Sequence, residues 1–257
     1  VFSGVPNANY TLSFGSGSLT SATSNTFSVT NGLAAGLNIT SEPVGGKTGD
    51  LLSQLVELEL LDDELNLAAD DNSTVVTVAF AVTDGNARFV NSSDVTVTPS
   101  VTAVGGVVDF GDLRVVGTPG YTYKLVFTAT PTSGPSYNSP QSAGFTLTHA
   151  NPAAVVVTQS PVGGIVGGVL ATQPTLRIND RFGNHATSDT STTVSVSIFS
   201  GTGGSVVSGG SATAVGGVVS FGAIAASGTP GELYKLRFSA TAANSATFSV
   251  DDTVGFR

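Results

Sequence analysis

A long internal repeat is the feature of this sequence that most constrains its fold. Residues 102–130 return as residues 213–241, with 19 of the 29 positions unchanged. The offset is 111 residues there, whereas residues 43–46 return as residues 161–164 at an offset of 118. The first copy therefore carries seven extra residues, which we place within AFAVTDGNARFVNSSDVTV because turns tolerate insertions. Such a repeat predicts one folding unit that occurs twice.

Composition and periodicity predict that this unit is built from strands. The chain contains no Cys, Met or Trp, and Val, Thr, Ser and Gly are abundant. Val56, Leu58 and Leu60 alternate with Glu57 and Glu59, which is typical of a half-buried strand. Gly, Pro, Asn and Asp clusters separate such stretches, and roughly seven short strands per copy predict an all-β fold of the β-sandwich type.

Charge and hydropathy exclude several kinds of partner. Only 11% of the residues are charged and the formal net charge is -9, which argues against nucleic acid because phosphate binding needs clustered Lys and Arg. The most apolar window, residues 153–171, is interrupted by Thr158, Gln159, Ser160 and Pro161. It is therefore too short for the ~20 apolar residues of a membrane helix. We expect no nucleic acid and no membrane span.

The motif Tyr-x-Leu-x-Phe marks three copies of the unit, because it begins at Tyr10, Tyr123 and Tyr234. SATSNTFSVT, in residues 21–30, aligns with SPQSAGFTLT and with ANSATFSV. Residues 1–30 are therefore predicted to be the last two strands of a partial domain, followed by full domains at residues 31–150 and 151–257. Because an isolated hairpin is marginal in water, we expect either a longer natural polymer or a neighbouring chain that supplies the missing strands.

A tyrosine corner is predicted at two of these motifs. Tyr123 and Tyr234 follow the turns at residues 117–120 and 228–231, and each has an aliphatic residue two positions on. In a tyrosine corner the hydroxyl bonds back to upstream backbone. A simple core aromatic is the alternative.

The repeated phrases together resemble a known family. VVVTQSPVGGIVGGVLATQPTLRINDRFGN, STTVSVSI, TAVGGVVSF, YKLRFSAT and SATFSV are similar to the tandem bacterial immunoglobulin-like repeats of large secreted surface, adhesin and filament proteins. The resemblance implies immunoglobulin-like β-sandwiches in an end-to-end array and an extracellular, cell-surface location. The first copy departs from the pattern at one turn, where Leu65 stands at the position of Gly183, and we expect that turn to differ in shape.

One acidic stretch offers a weak calcium site. The carboxylates concerned are Asp62, Asp63, Glu64, Asp70 and Asp71. Calcium takes six to eight oxygen ligands, but no EF-hand-type loop is present. A solvated acidic edge that prevents strand aggregation is the favoured interpretation. Apart from this calcium candidate, no cofactor is expected.

No catalytic constellation is recognised, so the chain is not expected to be an enzyme. His149 and His185 lie in predicted polar loops, and no serine has a matching His and Asp. Four Asn-x-Ser/Thr sequons give candidate glycosylation sites. They are Asn9, Asn38, Asn72 and Asn91.

The sequence thus predicts a non-enzymatic structural segment of an extracellular filament or stalk. Short linkers between the copies favour stiff arrays. The expected partners are copies of the chain or adjacent repeats, joined through strand complementation. The alternative is an adhesin arm that binds a glycan or a cell surface, for which only Tyr121 and Tyr137 remain outside the predicted core.

Overall fold

The computed structural model describes residues 4–257, and residues 1–3 of the predicted partial domain lie outside them. The chain divides into two compact units, Val1–Thr148 and His149–Arg257. Within the described residues every regular element is a β-strand, which confirms the all-β prediction. The predicted division after residue 30 stays a prediction.

Strands are short throughout and increase in length after residue 30. Residues 4–30 hold β1 (Asn9–Tyr10), β2 (Ser13–Phe14), β3 (Ala22–Thr23) and β4 (Phe27–Ser28). The rest of the first unit holds β5 (Gly36–Ser41), β6 (Val56–Leu61), β7 (Val75–Val82), β8 (Arg88–Phe89), β9 (Ser100–Thr102), β10 (Val107–Phe110), β11 (Val115–Val116), β12 (Thr122–Thr130), β13 (Tyr137–Asn138) and β14 (Phe145–Thr146). The second unit holds β15 (Pro152–Gln159), β16 (Thr175–Asp180), β17 (Thr193–Ser200), β18 (Ser205–Ser208), β19 (Ser211–Thr213), β20 (Val218–Ser220), β21 (Ala225–Ser227), β22 (Lys235–Thr241) and β23 (Thr247–Asp251).

Each unit is an immunoglobulin-like β-sandwich of two antiparallel sheets. In the first unit, one sheet has the order β10-β6-β5, the other has the order β13-β12-β7-β9 with β14 also on β12, and β8 pairs with β11. In the second unit the corresponding orders are β15-β16-β20 and β19-β17-β22-β23, with β18 on β21. In residues 4–30, β1 pairs with β4 and β2 with β3.

Alternating strands supply the core of each sandwich. In β6, Val56, Leu58 and Leu60 are all 0% exposed, and they pack in one cluster with Leu125 and Phe127 of β12. In the second unit the core is built on the same pattern by Leu176, Ile178, Val194, Leu236 and Phe238. Burying one such side chain contributes about 2 kcal/mol, so the predicted alternation is the main stabilising feature.

The extra residues of the first unit lie mostly in one small hairpin. Between β8 and β9 lie residues 90–99, whereas β18 and β19 are separated only by residues 209 and 210. Val90 and Thr96 form an antiparallel bridge that closes this hairpin. The insertion therefore extends a turn between strands and leaves both sheets in register, as the sequence predicts.

The segment that pairs with Tyr234 in the second unit is not the one that the sequence alignment predicts. Phe248 lies in β23 opposite Ala240, as Tyr137 lies opposite Ala129 in the first unit. Phe256 instead pairs with Tyr234. The alignment of ANSATFSV with SPQSAGFTLT is therefore wrong, because Phe145 pairs with Tyr123 and hydrogen-bond register, not local similarity, fixes the partner.

The turn that follows β6 keeps its shape despite its different sequence. Leu65 donates its N–H to the Asp62 carbonyl (3.0 Å), and Gly183 donates to the Asp180 carbonyl (3.1 Å). The φ angles are +65° at Leu65 and +85° at Gly183. The expected difference in shape is therefore wrong: Leu65 adopts the left-handed conformation, which costs an L-residue about 1 kcal/mol.

Replacing Leu65→Gly is expected to stabilise the first unit by about 0.5–1 kcal/mol, because it relieves this conformation. Little burial is lost, since Leu65 is 76% exposed. Amide hydrogen exchange across a urea series measures the free energy of unfolding of each unit separately.

The matched control is Gly183→Ala in the second unit. A Cβ atom there meets nothing within 4 Å, so the φ angle alone sets its cost and the second unit should lose stability by a similar amount. Faster exchange in the first unit of Leu65→Gly would contradict the strain argument.

Candidate functional site

Asp62, the first of the predicted calcium ligands, holds two loops together. Its Oδ1 accepts the backbone N–H groups of Glu64 (3.0 Å) and Asn66 (2.9 Å), and its Oδ2 accepts the N–H of Gly32 (3.1 Å). The bond from Asn66 is the main cause that lowers the pKa of Asp62, against burial that raises it. Asp180 bonds in the same way in the second unit, to Asn184 (2.9 Å).

Asp71 orders the turn before β7. Its Oδ1 accepts the N–H groups of Ser73 and Thr74 (both 2.9 Å), and its Oδ2 accepts the Thr74 hydroxyl (2.6 Å). Burial raises the pKa of Asp71, but these hydrogen bonds outweigh it and the net shift is downward. Asp189 accepts the N–H of Thr192 (3.0 Å) at the equivalent turn.

The remaining predicted ligands lie at the surface. Asp63, Glu64 and Asp70 are exposed. Among residues 4–257, no three His, Asp or Glu side chains form a group that could hold a metal ion. The structure thus uses Asp62 and Asp71 as acceptors for backbone N–H groups, and calcium binding stays a prediction.

A tyrosine corner is present in both units, as the sequence predicts. The Tyr123 hydroxyl accepts the N–H of Thr118 at 2.7 Å, and the Tyr234 hydroxyl accepts the N–H of Thr229 at 2.7 Å. Both tyrosines are buried. A Cβ atom on Gly117 would lie 2.5 Å from the Tyr123 hydroxyl, so the turn requires glycine at this position.

Asp84 completes this corner in the first unit alone. Its Oδ2 lies 3.0 Å from the Tyr123 hydroxyl and accepts the N–H of Thr118 at 3.3 Å. Hydrogen bonds, first from Thr118, lower the pKa of Asp84 to about 2. Burial, followed by the neighbouring Asp84, raises the pKa of Tyr123 to about 12. In the second unit the Tyr234 hydroxyl donates to the carbonyl of Thr202 instead (2.9 Å).

Sequence reasoning missed Asp84. It lies 39 residues before its partner Tyr123, within the stretch that holds the insertion, and no spacing rule connects the two. The available signal was the Asp84-Gly85 dipeptide, which is typical of a turn.

One histidine has a serine partner, which the sequence did not indicate. His149 Nε2 lies 2.6 Å from the Ser188 hydroxyl, and its Nδ1 lies 2.7 Å from the carbonyl of Ala150. The imidazole therefore bonds to a neighbouring carbonyl rather than to an orienting carboxylate, which a catalytic Ser-His-Asp arrangement uses. This pair ties the start of the second unit to the loop before β17.

All four predicted glycosylation sequons have exposed asparagines. Asn72 is the most constrained: its Oδ1 accepts the N–H of Gly105 (2.8 Å) and its Nδ2 donates to the carbonyl of Asp70 (3.2 Å). Asn91 uses only its Oδ1, towards Ser93 and Val95. Glycosylation at Asn9, Asn38, Asn72 and Asn91 stays a prediction.

The second unit contains an open apolar groove of about 270 Å³. Residues on its walls include Gly164, Ile165, Leu170, Gly231 and Phe256. Ile165 is 80% exposed, so an aliphatic side chain lies at the rim of the groove.

Within residues 4–257 there is no helix long and apolar enough to cross a membrane.

Comparison with known proteins gives distant structural neighbours only. No protein-family model and no curated protein matches the sequence. The Escherichia coli adhesin FdeC is 16% identical with a TM-score of 0.40, over 92% of this chain and 68% of the adhesin chain. The fibronectin(III)-like modules of Clostridium thermocellum CbhA are 15% identical with a TM-score of 0.25, over 86% of this chain and 92% of theirs.

An enzyme is also among the neighbours. The β-glucuronidase of Parabacteroides merdae is 13% identical with a TM-score of 0.25, over 84% of this chain. This chain spans only 24% of the length of that enzyme. These similarities are too distant to bear on function, and the fold assignment rests on the sheets and cores described above.

Acid is expected to destabilise the first unit through Asp84. The pKa of Asp84 is lowered from 3.8 to about 2 in the folded protein. The ionised carboxylate therefore stabilises the fold fully above about pH 3.8, and this stabilisation is lost as the pH falls towards about 2. Because the group is partly exposed, we expect an effect on the order of 1 kcal/mol.

The measurement is hydrogen exchange of the first unit between pH 5 and pH 2.5, in the parent protein and in Asp84→Asn. The variant should be less stable at pH 5 but lose less stability on acidification. Equal acid slopes would contradict the assigned role, and the second unit, which has no equivalent carboxylate at Tyr234, is the internal control.

Alkali is expected to act through Tyr123. Its folded pKa of about 12 exceeds the ordinary value of 10.0, so its stabilising contribution is present below pH 10 and is lost as the pH rises towards 12. Tyr123→Phe should flatten this alkaline loss of about 2 kcal/mol. It should also lower stability at pH 7 by about 1 kcal/mol, because the Thr118 N–H loses the nearer of its two acceptors and keeps only Asp84 Oδ2. An alkaline profile unchanged by the substitution, measured by circular dichroism, would exclude this role.

Proposed function

We propose that the chain is a non-enzymatic structural segment of an extracellular surface filament or stalk, built from immunoglobulin-like units. The observation that carries the proposal is that the same aspartates stabilise the same turns in both units. The carboxylates of Asp62 and Asp71, and of their counterparts Asp180 and Asp189, accept hydrogen bonds from backbone N–H groups of turns.

Rigid turns of this kind suit a load-bearing role. Each carboxylate accepts hydrogen bonds from N–H groups that would otherwise bond to water. Charge-assisted hydrogen bonds of this type are strong, so they hold the turn in one conformation. Because the same bonds recur in both units, we infer that they stabilise the fold that both units share. A catalytic or ligand-binding residue would serve one site.

The alternative is an adhesin arm that binds a glycan or a cell surface. A tyrosine at a binding surface offers an apolar ring face together with a hydroxyl that can bond to a ligand. Tyr121, one of the two candidates, is 38% exposed but its hydroxyl donates to the Thr83 carbonyl at 3.0 Å. Tyr137 is partly buried against the core of the first unit. This geometry favours the structural role.

Electron microscopy of the native protein tests the proposal. The expected images show fibres or beaded rods whose axial repeat is one or a few sandwich lengths. A parallel panel of glycans and glycoside substrates should give neither saturable binding nor turnover. Saturable binding to one glycan class, or turnover, would overturn the proposal in favour of the adhesin arm or an enzyme.

A further inference from the structure

One pair of segments in the first unit runs parallel. Lys47 and Thr148 form a parallel bridge, whereas the other strand pairs and bridges among residues 4–257 are antiparallel. Thr148 donates its N–H to the carbonyl of Gly46 (2.9 Å), and its own carbonyl accepts the N–H of Thr48 (2.8 Å). We call residues 46–48 and 146–148 the parallel pair.

The later segment of this pair is anchored to the centre of a sheet. Phe145 and Thr146 form β14, which pairs with β12. The next residue, Leu147, is 2% exposed, and its carbonyl accepts the N–H of Gly120 at 2.9 Å. Residues 146–148 are therefore held to the sandwich on the side that faces away from residues 46–48.

The earlier segment is anchored as well. Thr48 is 0% exposed, and its Oγ1 accepts the N–H of Gly117 at 3.0 Å. Gly49 donates its N–H to the carbonyl of Val115 (2.8 Å). A Cβ atom on Gly45 would collide with the carbonyl of Thr146, so the two segments of the parallel pair approach as closely as their backbones allow.

The parallel direction determines how a pulling force reaches the pair. Residues 46–48 follow β5, which begins the sandwich of the first unit, and residues 146–148 are the last three residues of that unit. A force between the two ends of the sandwich pulls the earlier segment at its first residue and the later segment at its last. In a parallel pair these two points lie at opposite ends of the pair, so the force acts along the strands.

A force along the strands loads the bonds of the pair together. The two backbone bonds of Thr148 must stretch at the same time, whereas an antiparallel pair would be pulled apart from one end, one bond after another. Because Thr48 and Leu147 are buried, water has little access to replace these bonds. If β5 separates from β6 first, the force passes directly to Gly46, and the parallel pair still carries it.

We propose that the parallel pair is the element of the first unit that resists stretching, so that its bonds set the rate of unfolding under an end-to-end force. This inference rests on the proposed function, because a stalk segment is stretched between its ends. It assigns a mechanical role to Thr148, whose side chain is exposed and lies outside the core.

Single-molecule stretching of the full chain at constant force tests the proposal. The chain has no cysteine, so two introduced cysteines are the only attachment points. The end-to-end arrangement uses Leu33→Cys with Asn151→Cys, and the same-end arrangement uses Leu55→Cys with Asn151→Cys. Leu33 and Leu55 are 84% and 46% exposed. Positions 55 and 151 both follow the parallel pair in sequence, so they pull on the same end of it.

The folded unit should survive longer in the end-to-end arrangement. We expect its half-life at the same force to be about tenfold longer than in the same-end arrangement, because two hydrogen bonds break together rather than in turn.

Thr148→Pro removes one of the two bonds, because proline has no N–H. It should shorten the half-life about fivefold in the end-to-end arrangement and by less than about twofold in the same-end arrangement. Thr148→Ala is the matched control: it keeps the N–H and the carbonyl, and it should behave like the parent in both arrangements.

Two results would overturn the mechanical role. They are equal half-lives in the two arrangements, and an effect of Thr148→Pro that is the same in both, since that pattern describes a general loss of stability. Fibres or beaded rods in electron microscopy would still support the proposed function in either case. Saturable glycan binding or turnover would remove the proposed function without changing the half-lives.

Discussion

Both sandwiches depend on a buried tyrosine at the start of a long central strand. Tyr123 is the second residue of β12 and Tyr234 immediately precedes β22, and each hydroxyl accepts the backbone N–H of a turn residue five positions upstream. The Tyr123 hydroxyl lies so close to the turn that a Cβ atom at position 117 would collide with it, and Gly117 is therefore required there. Once the turn is fixed, Leu125 and Phe127 are directed into the core, where a strand with alternating apolar residues can cover them.

The carboxylates perform a related task at the loops. Asp62 and Asp71 satisfy N–H groups that the sheets leave unpaired, and a buried unpaired N–H costs about 1–3 kcal/mol. This explains why acidic residues recur at the same turns of both units although the chain is otherwise low in charge. It also explains why an acidic stretch that suggests a metal site contains side chains directed to different loops.

Local sequence patterns gave correct predictions for features that depend on only a few consecutive residues. Alternation predicted the buried face of β6, and the spacing of Gly, Pro and Tyr predicted the corner, because both follow from backbone geometry over a few residues. The prediction of a different turn at Leu65 was wrong because two opposing energies act on that turn. The hydrogen bonds around Asp62 fix the turn, and they outweigh the conformational cost at a single exposed residue.

The sequence by itself determined the repeat, the all-β class, the strand alternation and the tyrosine corner. Only the tertiary structure decided that Asp84 joins Tyr123 and that Phe256 rather than Phe248 pairs with Tyr234. These two features depend on hydrogen bonds and contacts between residues that are distant in the chain. Such pairs are set by how the strands register and the sheets pack, and no spacing in the sequence encodes them.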